Sequence, residues 1–344
     1  MSAAGAGGDG ALVDVKHVVK EFPVTRGSVI PHRVGSIKAV SDVSLSIEKG
    51  ETFGLVGESG CGKTTLGRLV VALERPSSGE VWFDGADLAK LGRRQLRAKR
   101  MAMQLMFQDP YSSLDPRMRV GDILAEPLVI HRFGSRDKRQ KRVGELLQEV
   151  GLSPRAVERY PHEFSGGQRQ RIGLARALAL NPRLIVADEP VSALDVSIRS
   201  QILNLMNRLQ HSHDLTYIVI SHDLSVIRYV SDRIGVMYLG KLMEVGPAAA
   251  VYNNPAHPYT QGLLSSVPVP DPVIERTKLK LVPRGELPSP MNPPSGCRFR
   301  TRCPRAKELC AEVEPPLRRF ETGQMAACHY PLERPTETAS ASGA

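Results

Sequence analysis

The sequence contains no long apolar run. No stretch approaches the roughly 18 consecutive apolar residues that a membrane-spanning helix needs, and the best, 184–187 and 217–220, are short. The first ten residues carry neither a basic nor an apolar segment, so we expect no secretion signal. Aromatic residues make up only 5% of the chain, which argues against a surface on which single-stranded nucleic acid stacks.

Cysteine is also scarce, but it is unevenly distributed. Four of the five cysteines fall in the last fifty residues. A disulfide scaffold would spread its bridges through a short secreted chain, so we favour a metal or cluster site here. Five, six and seventeen residues separate the neighbouring cysteines, unlike the close pairs of common zinc ribbons. The four are Cys297, Cys303, Cys310 and Cys328.

The remaining composition is that of a globular protein. Apolar residues at 41% and charged residues at 24% exclude disordered and fibrous classes for the bulk of the 344 residues. The net charge is +10, and basic residues gather within 93–100 and 132–142. We interpret these two segments as solvated helix faces, with a nucleic-acid groove as the alternative.

The order of patterns predicts an α/β fold. From Leu12 to about Gly246, short β-branched runs alternate with amphipathic helices, which favours a mostly parallel sheet. Proline is dense over 265–295, which predicts an extended connector. The predicted divisions are a main domain at 11–250 with an inserted helical subdomain at about 90–165, a small cysteine-containing domain at 251–334, and disordered ends at 1–10 and 335–344.

A phosphate-binding loop follows the predicted strand 51–56. The loop matches the G-x-x-x-x-G-K-[ST] pattern and leads into a predicted helix. Its glycines let backbone N–H groups surround the phosphates, and the helix N-terminus adds partial positive charge. We expect Lys63 at the β- and γ-phosphates and Thr64 at Mg²⁺. The predicted nucleotide-binding residues are Gly57, Glu58, Ser59, Gly60, Cys61, Gly62, Lys63, Thr64 and Thr65.

Two further elements complete the predicted site. The apolar strand 184–187 ends in Asp188 and Glu189, and such strand ends lie beside the phosphate loop in this fold class. Asp188 is the predicted Mg²⁺ partner and Glu189 the predicted general base for the attacking water. A Ser-Gly-Gly-Gln segment opens the predicted helix 168–180 and offers a second anion-ready N-terminus. Its residues are Ser165, Gly166, Gly167 and Gln168.

Together, these segments and their order resemble the ATP-binding cassette ATPases. Gln108 matches the Q-loop, Asp195 the D-loop and His222 the switch histidine, while Phe164 replaces the usual leucine before the signature. The resemblance implies that Phe22 stacks on adenine. It also implies a P-loop NTPase fold with a RecA-like core, in which two cassettes pair head to tail. The signature of one cassette, 165–168, would close over ATP held by the other.

The same resemblance assigns roles to the site residues. It implies that Glu189, His222, Gln108 and Lys63 are catalytic and that Gln108 and Asp188 also contact ATP. The Mg²⁺ ligands implied in this way are Thr64, Gln108 and Asp188.

Finer features resemble the oligopeptide and dipeptide importer branch. They are the segments 107–116, 160–165, 257–260 and 296–303, together with an extra segment at 23–38 that resembles the F-type subunit. This implies an ATPase that powers peptide import from the cytoplasmic face of the membrane, as a peripheral subunit. The implied partners are a different ATPase subunit in a heterodimer, two permease subunits and an extracytoplasmic peptide-binding protein. No direct nucleic-acid partner is expected.

Two alternative functions remain at this point. A nickel or metal-chelate importer shares the architecture, and a soluble cassette protein acting on nucleic acid or ribosomes would use the basic segments. For the four cysteines, the branch resemblance implies a [4Fe–4S] cluster, with inert buried thiols and zinc as the other interpretations. The nearby Arg298, Arg300, Arg302 and Arg305 would offset a cluster's negative charge or form a plain basic loop.

Overall fold

The computed structural model of the chain describes residues 10–26, 32–109, 113–267 and 285–332. The predicted disordered ends lie outside this part, apart from Gly10, and so does the stretch 268–284 of the predicted connector. Among the helices described, none has the length and apolar character needed to span a bilayer.

A mixed eight-stranded sheet forms the centre of the fold. From one edge to the other its strands are β11 (Leu317–Arg319), β12 (Met325–Ala327), β10 (Lys241–Pro247), β9 (Arg233–Tyr238), β3 (Thr52–Val56), β8 (Thr216–Ser221), β7 (Leu184–Asp188) and β6 (Met103–Met106). The strands from β9 to β6 are parallel, whereas β10, β12 and β11 pair antiparallel. Every residue of β3, β7 and β8 is buried, as expected for parallel strands covered on both faces.

A second, antiparallel sheet covers one face of the first. Residues such as Val13, Val15 and Val81 from this sheet share a core with Phe53 and Leu55 of β3. In the order β2-β1-β4-β5, its strands are β1 (Ala11–Arg26), β2 (His32–Glu48), β4 (Ser78–Phe83) and β5 (Ala86–Asp87).

Helices pack against the central sheet and form a second core with it. They are α1 (Lys63–Val70), α2 (Arg93–Met101), α3 (Val120–Ile130), α4 (Arg136–Glu149), α5 (Gly166–Leu178), α6 (Val196–His213), α7 (Leu224–Val230), α8 (Ala248–Asn253), α9 (Pro258–Ser266) and α10 (Leu309–Glu312), with 3₁₀ turns at Pro154–Glu158 and Pro161–Glu163. Buried residues of α3, α4, α5 and α6 pack together, as Leu124, Leu146, Ile172 and Leu205 illustrate.

The C-terminal region returns to the central sheet. Strand β12 pairs with β10 through Glu244 opposite Ala326 and Val245 opposite Met325. The domain boundary predicted after residue 250 falls inside α8, and β11 and β12 come back across it. The region that carries the four cysteines is therefore held against the same sheet that carries the phosphate loop.

Candidate functional site

The loop between β3 and α1 has no room for side chains at two of its glycines. Gly62 caps α1 with φ of +106°, and a Cβ there would lie 2.0 Å from the carbonyl oxygen of Ala39. A Cβ on Gly57 would lie 2.1 Å from the carbonyl oxygen of Met237. Glycine is needed at both positions because any side chain would collide with neighbouring backbone.

The Lys63 ammonium group lies against this loop. Its Nζ donates to the carbonyl oxygens of Gly57 at 2.7 Å and Glu58 at 2.9 Å, and the side chain is buried. Cys61 Sγ lies 3.7 Å from the same nitrogen, and burial raises the pKa of this thiol. One buried positive charge thus sits at a helix N-terminus, an arrangement that suits a phosphate group.

Thr64 and Asp188 bring two oxygen ligands together. The Thr64 hydroxyl donates to Asp188 Oδ1 at 3.1 Å, joining the start of α1 to the end of β7. Burial raises the pKa of the Asp188 carboxyl, and the bond from Thr64 opposes that effect. A hydroxyl and a carboxylate side by side are ligand types that Mg²⁺ prefers, so this pair fits a magnesium ion beside the loop.

The structure brings Glu189, Gln108 and His222 together. Gln108 Nε2 donates to Glu189 Oε2 at 2.8 Å, and His222 Nδ1 lies 3.0 Å from Oε1. Glu189 has φ of +46°, which is uncommon for a residue other than glycine and is a feature of functional sites. A carboxylate held from two sides beside a phosphate loop has the chemistry of a general base. Gln108, a predicted Mg²⁺ ligand, uses its amide to bind Glu189 in this structure.

The signature segment forms the exposed N-terminus of α5. The Ser165 hydroxyl accepts a bond from Gln168 N–H at 3.4 Å, and Gln168 Oε1 accepts one from Ser165 N–H at 3.0 Å. A Cβ on Gly167 would lie 2.5 Å from a methyl carbon of Ile198, so the two helices touch closely here. Asp195 is exposed at the N-terminus of α6, the helix that contacts α5 at Gly167.

Phe22 lies on β1, opposite Ile37 of β2, and its side chain is half-buried. Lys20 Nζ lies 4.8 Å from the centroid of its ring. Lys20 and Phe22 therefore form a cation–π contact.

The four C-terminal cysteines line one small cavity with His257, Phe299 and Tyr330. All four are free thiols. Burial raises the pKa of Cys297 to about 11 and that of Cys328 to about 12. Within the described residues, however, no group of three or more His, Cys, Asp or Glu side chains is arranged to hold a single metal ion.

The arginines near these cysteines divide into two groups. Arg300 and Arg305 line the cavity with the thiols. Arg298 instead donates to the carbonyl oxygen of Leu239, and Arg302 binds the Glu58 carboxylate at 2.8 and 3.0 Å. Two of the four arginines therefore contact the β9–β10 turn of the central sheet and the phosphate loop, which neither sequence interpretation anticipated.

Tyr259, like Arg302, contacts Glu58, and sequence reasoning missed this second contact as well. Its hydroxyl accepts a hydrogen bond from the Glu58 backbone N–H at 2.9 Å. The segment 257–260 signals only the start of an extension when read as sequence. Because Tyr259 and Arg302 are 201 and 244 residues from Glu58 along the chain, no local pattern could have paired them with the loop.

A groove of about 610 Å³ lies between the end of α1 and α2. Its lining combines apolar and basic side chains. They include Leu69, Leu73, Leu96, Arg93, Arg97, Arg100 and His131.

Two side chains of the first basic segment, 93–100, contact other parts of the fold. Arg97 donates to the carbonyl oxygen of Ile130 at 2.7 Å. Lys99 pairs with Asp84 at 3.2 Å. Both residues lie on α2, as the interpretation of this segment as a helix face predicts.

Known proteins share this architecture. The family described as "ABC transporter" matches residues 40–192, and "Oligopeptide/dipeptide transporter, C-terminal region" matches residues 243–310. The oligopeptide transport ATP-binding protein AppF of Bacillus subtilis (strain 168) is 52% identical over 319 residues, covering 92% of this chain and 97% of that protein. The dimeric post-hydrolysis structure of the ATP-binding cassette MJ0796 with ADP and Pi superimposes with a TM-score of 0.60 at 31% identity, covering 69% of this chain and 98% of that one.

Proposed function

Because this chain belongs to the ABC transporter family, among its oligopeptide transport ATP-binding proteins, we propose that it hydrolyses ATP to power the import of oligopeptides and dipeptides. The observation that carries the proposal is the union of two features in one fold. A phosphate loop with its acidic partners is joined to a C-terminal region of the oligopeptide/dipeptide transporter type. That region favours peptides over nickel or metal chelates as the cargo.

We assign the chemistry to side chains that already converge. Lys63 would bind the β- and γ-phosphates, exchanging its bonds to loop carbonyls for phosphate oxygens. Thr64 and Asp188 would hold Mg²⁺, with Gln108 joining them when nucleotide is bound; the ion would neutralise charge on the transferring group. Glu189 would accept the proton of the attacking water, and His222 would keep its carboxylate in place.

The signature segment would act on a second cassette. Ser165 and Gln168 are exposed at a helix N-terminus, where they would contact the phosphates of ATP bound to the phosphate loop of the second cassette. The MJ0796 cassette, a structural neighbour, was solved as a dimer. We propose that this chain pairs in the same way with a different ATPase subunit, with Asp195 at the contact and Phe22 stacking on the adenine.

The groove between α1 and α2 would receive the membrane partners. It is open, partly apolar and basic, and it lies on the face that carries Leu73, which is 52% exposed. We propose that cytoplasmic loops of two permease subunits dock there and hold the chain at the cytoplasmic face of the membrane. An extracytoplasmic peptide-binding protein would deliver the cargo.

The cysteine cavity is proposed to hold a [4Fe–4S] cluster. Four thiols that line one cavity are the donor set that such a cluster requires, and Arg300 and Arg305 would offset its charge. Anaerobic purification followed by iron, sulfide and visible-absorption measurements tests this proposal. Equal iron and sulfide that are lost together in a Cys297→Ser variant would support it, whereas bound zinc or no metal would refute it.

The function is tested by isolating the tagged chain from its own membranes in mild detergent and identifying what accompanies it by mass spectrometry. Two multi-spanning subunits, a second cassette and a peptide-binding protein are the expected partners. Ribosomal proteins or nucleic acid in their place would contradict the importer assignment.

A further inference from the structure

We infer that the C-terminal extension positions the phosphate loop, with Tyr259 and Arg302 acting on Glu58 to set the affinity for ATP. This inference concerns nucleotide binding by the chain itself, and it can be tested whatever cargo the complex transports. Tyr259 and Arg302 are positioning residues, since they contact the loop and not the phosphates.

Glu58 is held through three separate groups. Its carboxylate accepts two bonds from Arg302, at 2.8 and 3.0 Å, and its backbone N–H donates to the Tyr259 hydroxyl at 2.9 Å. Its carbonyl oxygen accepts a bond from Lys63 Nζ at 2.9 Å. The extension therefore fixes the second residue of the loop, and that residue in turn contacts the lysine expected to bind phosphate.

The two extension residues are themselves rigidly placed. Tyr259 is fully buried, and its ring lies 4.7 Å from that of Tyr238 and 5.2 Å from that of Phe299, measured between centroids. Arg302 is only 12% exposed, and its guanidinium lies 5.9 Å from the centroid of Tyr238. Tyr238 ends β9, next to Met237, whose carbonyl confines Gly57. The aromatic cluster thus joins the extension to the strand that supports the loop.

A fixed loop should bind ATP more tightly because the backbone N–H groups are arranged before the ligand arrives. A bidentate arginine–carboxylate pair of low exposure is among the stronger polar contacts. If it served general stability alone, its loss would lower the melting temperature and leave the affinity of the folded protein for nucleotide unchanged.

The test measures the Kd for MgATP of the full-length chain by titration calorimetry, with the melting temperature recorded alongside. We expect Arg302→Gln to raise the Kd about tenfold and Tyr259→Phe about fivefold. In the assembled complex, both variants should raise KM for ATP and leave kcat unchanged. Arg318→Gln is the matched control, because it removes the same charge from an exposed position of the extension and should leave the Kd unaltered.

A double-variant cycle separates positioning from packing. Glu58→Gln should raise the Kd as Arg302→Gln does, and the double variant should be no weaker than either single one, because both remove the same contact. Tyr259→Phe guards against misfolding, since it removes one oxygen and keeps the ring. Unchanged Kd values in folded Arg302→Gln and Tyr259→Phe chains, or effects of Glu58 and Arg302 that simply add, would overturn the inference.

Discussion

Glu189 combines an unusual backbone conformation with a carboxylate that is held from two sides. Its φ of +46° lies in the left-handed region, and its amide N–H donates to the carbonyl oxygen of Ile220 at 2.9 Å. Gln170, a buried side chain of α5, donates to the carbonyl oxygen of the next residue, Pro190. The conformation is therefore imposed by neighbouring strands and helices, and it directs the carboxylate towards Gln108 and His222.

We predict that Glu189→Gln lowers the rate of ATP hydrolysis at least about 100-fold, because an amide cannot accept the proton of the attacking water. Binding of MgATP should be unaffected, since Gln keeps the size and the hydrogen-bonding oxygen of Glu. Steady-state phosphate release and equilibrium binding measure the two effects. Glu321→Gln, at an exposed position, is the control. Normal hydrolysis by Glu189→Gln would remove this residue from the role of base.

For single residues, the sequence predicts a contact where the fold class places two motifs side by side. The adjacency of Thr64 and Asp188 follows from a strand end beside a phosphate loop, which the fold class predicts. The bond between Gln108 and Glu189 could not be predicted, because the two residues are 81 positions apart in the sequence. The resemblance implied only that Gln108 binds Mg²⁺. Arg302 was counted only as charge beside the cysteines, since nothing in its segment indicates contact with Glu58.

Among the elements, α9 begins with a histidine cap. His257 Nδ1 accepts a hydrogen bond from the Tyr259 backbone N–H at 3.0 Å, so this nitrogen carries no proton in the folded chain. Burial lowers the pKa of His257 to about 3. The helix that presents Tyr259 to the phosphate loop therefore depends on a neutral, buried imidazole.

This cap predicts a loss of stability in acid. The pKa of His257 in the folded chain lies below the ordinary value of 6.5. The neutral imidazole therefore makes its full contribution to the free energy of unfolding above pH 6.5, and this contribution falls as the pH drops towards about 3. At pH 5 the imidazole is protonated in the unfolded chain only. The free energy of unfolding is therefore about 2 kcal/mol lower at pH 5 than at pH 7 because of this group. We expect His257→Asn, which keeps a cap acceptor but cannot charge, to be correspondingly less sensitive to pH.

Chemical denaturation at pH 7 and pH 5 measures the effect. His211→Asn is the matched control, because His211 is exposed and its replacement should leave the pH dependence as it is. An identical loss of stability between the two pH values in wild type and His257→Asn would contradict this role of His257.

The elements of the phosphate site were predictable because their signals are short-range. The predicted strand 51–56 is Thr52–Val56, and the predicted helix 168–180 is Gly166–Leu178. Strand β6 was not predicted, because it has only four residues and lies within the segment whose patterns indicate helices. The pairing of β10 with β12 joins residues about 80 apart, and no local pattern specifies such a contact.

For the whole molecule, the extension acts as part of the ATPase fold. It supplies two strands to the central sheet, and Phe299 packs against Tyr238 with 5.3 Å between ring centroids. Fully buried Gln324 also packs directly on β10, since a Cβ on Gly246 would lie 2.5 Å from the Cβ of Gln324. Removing the extension would expose the edge of β10 and the aromatic cluster together.

We predict that a chain ending after Val267 aggregates or melts at a clearly lower temperature than the full chain, and that it binds MgATP weakly. A chain ending after Leu332 keeps every contact described above and is the control. Size-exclusion chromatography and thermal unfolding provide the measurements. A monodisperse shortened chain with unchanged melting temperature and affinity would mean that the extension is an independent appendage.

We propose above all that ATP hydrolysis at this site powers peptide import. The most direct test is uptake of a labelled oligopeptide by cells whose sole copy of the chain is either wild type or Glu189→Gln. We predict uptake with the wild-type chain and none with the variant, at equal amounts of each in the membrane complex. Equal uptake with both chains, or no peptide uptake with the wild-type chain in an intact complex, would contradict the claim.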